Sequence, residues 1–236
     1  MKLKLIILIF FTSANLIGQS KNIFKVQTEI KAIDEITKIG NEIDSASNSA
    51  PFFEDNNYIV TAECNGEWGG TITFKNKKTN DKFICGSTCP VTILKEKNKY
   101  IVTNTLNHLM ATTEILEIEN PENLKKIKAG PNKVNETLGR KGAKIILKEF
   151  EISTLFSYQY NGVIYYIVSS RKETFIAKIE NGKFKKIQSL ANTSFIALRT
   201  RISKTNDGSY LVFFSTYKNR GYLKIKGNSI KIFSHK

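Results

Sequence analysis

A tyrosine-led outline that occurs four times constrains this chain more than any other feature. The copies open at Tyr58-Ile-Val-Thr, Tyr100-Ile-Val-Thr, Tyr166-Ile-Val-Ser and Tyr210-Leu-Val-Phe. A polar turn follows each, then a second strand-like run ending at Phe74, Ile118, Ile179 or Ile225. A shorter third run ends near Ile84, Ile127, Ile187 and Ile232. Short runs of Tyr, Ile, Val, Thr and Phe, broken by Asn, Gly, Asp and Lys, are the pattern of strands. Asn65-Gly66, Asn161-Gly162, Asn181-Gly182 and Asp207-Gly208 tolerate positive φ and close tight hairpins. Consecutive strands should therefore be antiparallel neighbours.

The tyrosines lie 42, 66 and 44 residues apart. A four-stranded propeller blade takes about 40–50 residues. The long interval equals one blade plus an insert near 128–149, where Gly130-Pro131 and Gly139 to Gly142 break the pattern. Pro90–Leu94, Ser153–Tyr158 and Ser194–Ile202 supply the strand before each later tyrosine. For the first copy, either Phe52-Phe53 or the C-terminal Ser229–Phe233 fills that place. Over residues 52–234 this outline resembles secreted bacterial β-propeller repeat proteins. It lacks the Gly-His…Trp-Asp pair and the kelch double glycine, so the resemblance implies a fold class and no activity. The expectation is a mostly β chain: a small propeller-like repeat of four antiparallel blades, or five if the insert is a degenerate blade. A β-sandwich or irregular antiparallel meander is the alternative.

The N-terminus reads differently. Residues 1–20 carry Lys2 and Lys4, then an apolar Leu5–Phe11 run, then Gly18 and Ser20 before a cut at Lys21. That is the order of a secretory signal, and the apolar run is too short for a membrane helix. Secretion or periplasmic export follows, with no transmembrane segment left after cleavage. Residues 21–51 read as an amphipathic helix and linker. Val26, Ile30, Ile33, Ile36 and Ile43 recur at helical spacing, and SASNSAP closes the segment. Residues 52–236 form the β-repeat domain.

The formal net charge is +15. It is mostly lysine, spread along the chain, with arginine only at Arg140, Arg171, Arg199, Arg201 and Arg220. Nucleic-acid readout leans on clustered arginine, so no nucleic acid is expected as partner. Cys64, Cys85 and Cys89 lie within one repeat. Outside the cytoplasm two of them should pair, at about 2–4 kcal/mol of stability. Cys85–Cys89 is closest in sequence, and Cys64 with either is open. With His108 the cysteines make a four-ligand set, but at no zinc spacing. No metal or cofactor is expected. The motifs of serine hydrolases, zincins, phosphate-binding loops and dinucleotide folds are absent.

The sharpest constellation is Glu67 and Trp68, the sole tryptophan, in a glycine-rich turn. His108 stands in the equivalent turn of the next repeat, with Asn104 and Asn107 as polar neighbours. If the repeats superpose, these residues share one rim. Trp68 either stacks on a ligand or covers the core at a blade edge; His108 either binds or braces a turn. The expected function is non-catalytic binding of a protein or glycan. The alternatives are a glycan-active hydrolase using Glu67 with a second carboxylate, and a lysine-rich surface for anions.

Overall fold

A computed structural model describes residues 22–49, 51–108, 110–127, 139–196 and 202–235. The expected signal segment, 1–20, lies outside them. The chain is mostly β, with one α-helix among the described residues. It opens with strand β1 (Lys25–Ile30) and helix α1 (Ile33–Ser49). The expected helix thus begins later than its spacing suggested. Val26 and Ile30 sit in a strand that runs parallel to the C-terminal strand, Lys25 opposite Ser229 and Ile30 opposite Ser234. An available sheet edge overrides a helical spacing there.

Four meandering sheets follow. The first holds β2 (Phe53–Glu54), β3 (Tyr58–Cys64), β4 (Gly70–Asn76) and β5 (Lys82–Ser87). Phe53, and not the C-terminal strand, thus stands before the first tyrosine strand. The second sheet starts with β6 (Pro90–Glu96), β7 (Lys99–Leu106) and β8 (Thr112–Ile118). The chain then returns to the first sheet as β9 (Lys125–Ile127), paired with β5. Only afterwards does β10 (Lys144–Phe150) complete the second sheet on β8. The run ending at Ile127 is therefore not the second sheet's last strand, and the expected insert contains that strand. The third sheet is β11 (Ser153–Tyr160), β12 (Val163–Ser169), β13 (Thr174–Glu180) and β14 (Lys183–Ala191). The fourth is β15 (Ile202–Lys204), β16 (Tyr210–Ser215), β17 (Arg220–Lys226) and β18 (Ser229–Ser234), with β1 on its outer edge. Every repeated tyrosine lies on the second strand of its sheet. Asn161-Gly162 and Asn181-Gly182 close hairpins with both residues at positive φ, as their chemistry requires.

The sheets pack in series. Tyr100, Val102 and Leu116 of the second sheet meet Val60, Ile72 and Phe74 of the first. Ile101, Ile115 and Leu147 meet Tyr166, Val168 and Phe175 of the third. Phe156, Tyr158 and Ile167 of the third meet Val212, Phe214 and Leu223 of the fourth. The other face of the fourth sheet is covered by α1, through Ile36 and Ile43 on Phe213, Tyr222 and Phe233. Phe24, just before β1, joins the third sheet: its ring lies 4.8 Å from that of Tyr165. Gln188 holds the Phe24 backbone at both its N–H (3.1 Å) and its carbonyl (2.9 Å). The N-terminal segment is thus a bridge between two sheets.

Asp55, in the turn between β2 and β3, ties the first sheet to the second. It accepts from Lys95 Nζ at 2.6 Å, from Tyr100 OH at 2.8 Å and from the backbone N–H of Asn57 and Tyr58. Burial acts to raise its carboxyl, but these donors outweigh burial and hold it at about 2, below its ordinary 3.8. A lowered folded value contributes stability that is present above pH ~4 and lost as pH falls toward 2, about 2 kcal/mol for one such group. Asp55→Asn should lower the unfolding free energy by about that amount at neutral pH and flatten the acid limb of the stability curve. Denaturant titrations at neutral pH and near pH 2 check this; an unchanged acid limb would contradict it.

Candidate functional site

One end of the molecule gathers the turn between the second and third strands of each sheet, together with the links from sheet to sheet. Cross-contacts fix this arrangement. Cys64, at the end of β3, is disulfide-bonded to Cys89 in the link to the second sheet. Thr105 N–H donates to the Cys89 carbonyl at 2.9 Å. Thr113 Oγ1 donates to the Ile152 carbonyl in the next link at 3.0 Å. Arg171, in the third sheet's turn, reaches Glu151 in that link at 3.2 Å. Ser169 and Ser194 pair at 3.0 Å, and Ile196 bridges Ser215 of β16. The four turns therefore share one end.

The first of these turns is a single turn of 3-10 helix, Gly66–Trp68, closed by Asn65 N–H on the Gly69 carbonyl at 2.8 Å. A side chain at Gly70 would meet the Glu63 carbonyl at 2.1 Å, so glycine is required where the chain re-enters the sheet. The backbone is thereby committed, and Trp68 is left 92% exposed. That rules out the core-covering role. Glu67 Oε1 lies 3.1 Å from His108 Nε2, with both side chains half exposed. Glu67 and His108 thus meet across two sheets, with Trp68 next to Glu67 in the chain. An exposed pair of this kind adds at most about 1 kcal/mol to stability, so the fold does not need it. Asn107 is half-buried in the same turn as His108.

Asn104 is a correction. It is fully buried on β7, facing the first sheet, and belongs to no open rim. Its Oδ1 accepts from Ser87 Oγ, and its Nδ2 has no partner. Glu114, opposite it in register on β8, is 1% exposed. Arg140 Nη2 meets Glu114 Oε1 at 2.8 Å, and Thr88 Oγ1 donates to the same oxygen at 3.2 Å. Sequence reasoning missed this cluster. Its signal was available: Glu114, Leu116 and Ile118 alternate with Thr113 and Ile115, so a carboxylate occupies a core-facing position. On the opposite face of the second sheet, hydroxyls pair with the third, Thr103 with Ser157 at 2.9 Å and Thr113 with Thr154 at 3.2 Å. Such satisfied networks make a stiff platform.

Cys85 is the other correction, since it takes no part in the disulfide. It is a free, buried thiol on β5, facing the second sheet. Burial pushes it up to about 12 against the pull of Arg140, so it stays protonated and unreactive. The disulfide spans 25 residues and contributes about 3 kcal/mol by closing that loop in the unfolded chain. Among the described residues no group of three or more His, Cys, Asp or Glu is placed to hold a metal ion.

Removing Arg140 leaves the Glu114 carboxylate buried without its cation. Arg140→Met should cost about 3 kcal/mol. Adding Glu114→Leu should recover most of it, because the unpaired charge is then gone. Denaturant unfolding of both variants checks this; a single substitution costing under ~1 kcal/mol would contradict the pairing.

The chain matches no protein-family model, no curated protein and no solved structure.

Proposed function

We propose that the chain is a non-catalytic binding protein, secreted or periplasmic once residues 1–20 are cleaved, that takes a glycan at its turn end. In this reading the four sheets stand as the blades of a small propeller. Their meander order, their face-to-face packing in series and their shared turn end support that arrangement. The disulfide supports an oxidising compartment.

The observation that carries the proposal is Trp68, 92% exposed on a turn stapled by Cys64–Cys89. An indole in water contributes nothing to the core. Covering about 100 Å² of it with the apolar face of a sugar ring yields about 2–3 kcal/mol. The fixed turn lowers the ordering cost of binding. Glu67 and His108 beside it supply an acceptor and an imidazole for sugar hydroxyls. Glu114 cannot serve hydrolysis as the second carboxylate, being 1% exposed and held by Arg140 and Thr88.

Trp68→Ala should abolish glycan binding on an array and by calorimetry while leaving the melting temperature in place. Binding should fall only slightly with added salt. Steep salt dependence would instead point to the lysine surface. A turnover that Glu67→Gln abolishes without loss of affinity would make the protein a hydrolase.

A further inference from the structure

The same end carries a concavity at the junction of the third and fourth sheets, with a volume of about 450 Å³. Its floor is apolar: Leu190, Ile232, and the rings of Phe195 and Phe214 stacked 3.8 Å apart. At its lip stands the turn between β16 and β17, topologically equivalent to the Trp68 turn. Thr216 fixes that turn. Its Oγ1 accepts from the backbone N–H of Lys218 at 3.2 Å and of Asn219 at 2.8 Å. Tyr217 is left 97% exposed, and Lys218 is exposed beside it. Among the described residues, no carboxylate lines the groove. Glu29, next to the lining residue Thr28, alternates to the opposite face of β1 and pairs with Lys231 at 3.1 Å.

We infer that this groove binds a small organic anion, with a ring-sized apolar body on the Phe195–Phe214 floor and a carboxylate head at Lys218. A concave apolar floor with few polar groups at the rim is the general form of small-molecule sites, and the volume lies within their range of about 300–1,000 Å³. The lysine selects the sign of the head, since no acid among the described lining residues opposes it. Tyr217 closes over the body and gives up exposed ring area in doing so. Thr193 and Asn219 stand at the rim as hydroxyl and amide partners. None of these residues belongs to the Trp68 site, so the two proposals stand or fall separately.

The test uses phenylpropionate, with phenylpropanol and propionate as controls, titrated into the mature chain and read by saturation-transfer and amide NMR. Phenylpropionate should bind saturably and shift amides at the β16–β17 turn. Phenylpropanol should bind more weakly and propionate not at all. Lys218→Glu should weaken the acid about fivefold, the scale of one exposed charge pair, and leave the alcohol unchanged. Tyr217→Ala should weaken both. Both positions are exposed, so the fold is kept, and an unchanged melting temperature verifies that. Trp68→Ala should leave this binding intact. No saturable binding of the acid, equal binding of acid and alcohol, or indifference to both substitutions would overturn the assignment.

Discussion

The middle sheets must bury both of their faces, and the rest of the structure follows from that constraint. On β7, Tyr100 and Val102 pack on the first sheet while Ile101, between them, packs on the third. A strand of this kind has no solvent side. Sheets built from such strands stack in series, and each end of the series needs a cover. At the fourth sheet α1 provides it, with Ile36 and Ile43 fully buried. Phe24 and Gln188 then lock the N-terminal segment across the third and fourth sheets. Strand faces committed in this way leave strand ends as the places where side chains are free to serve something other than the core.

Those ends are not equivalent. At the turn end, a disulfide, an inter-sheet ion pair and a run of hydroxyl contacts hold neighbouring turns together. The backbone there is satisfied and stiff, yet Trp68 and Tyr217 stand out in water. Large aromatic side chains held apart from the core on fixed turns have no stabilising role to explain them. Beneath the Trp68 turn lies a polar layer in which Glu114 and Arg140 are paired and Asn104 keeps one unpartnered amide. A rigid base under exposed aromatics is the arrangement that recognition requires.

Much of the fold was legible in the sequence because tyrosine spacing follows the sheets. The four tyrosines do mark second strands, and Phe74, Ile118, Ile179 and Ile225 lie on third strands. What was illegible depends on distant chain. Val26 and Ile30 share a spacing with helix positions, and only the free edge of β18 makes them strand. The run at Ile127 pairs backwards with β5, which no local pattern announces. At the candidate site, Glu67 and His108 lie 3.1 Å apart in turns of neighbouring sheets. Asn104 was misplaced because a polar residue near a strand end has no fixed side until its register is known. The cysteine pairing followed space rather than sequence: Cys85 alternates into the core, whereas Cys64 and Cys89 reach the turn end.

The single tryptophan makes the central claim directly measurable. The fluorescence of Trp68 should be water-like in the free protein and readily quenched by iodide. On adding a glycan that binds, emission should move to shorter wavelength and the quencher should lose access. Emission already shifted and shielded in the free protein, or quenching unchanged with glycan bound, would contradict a ligand site built around Trp68.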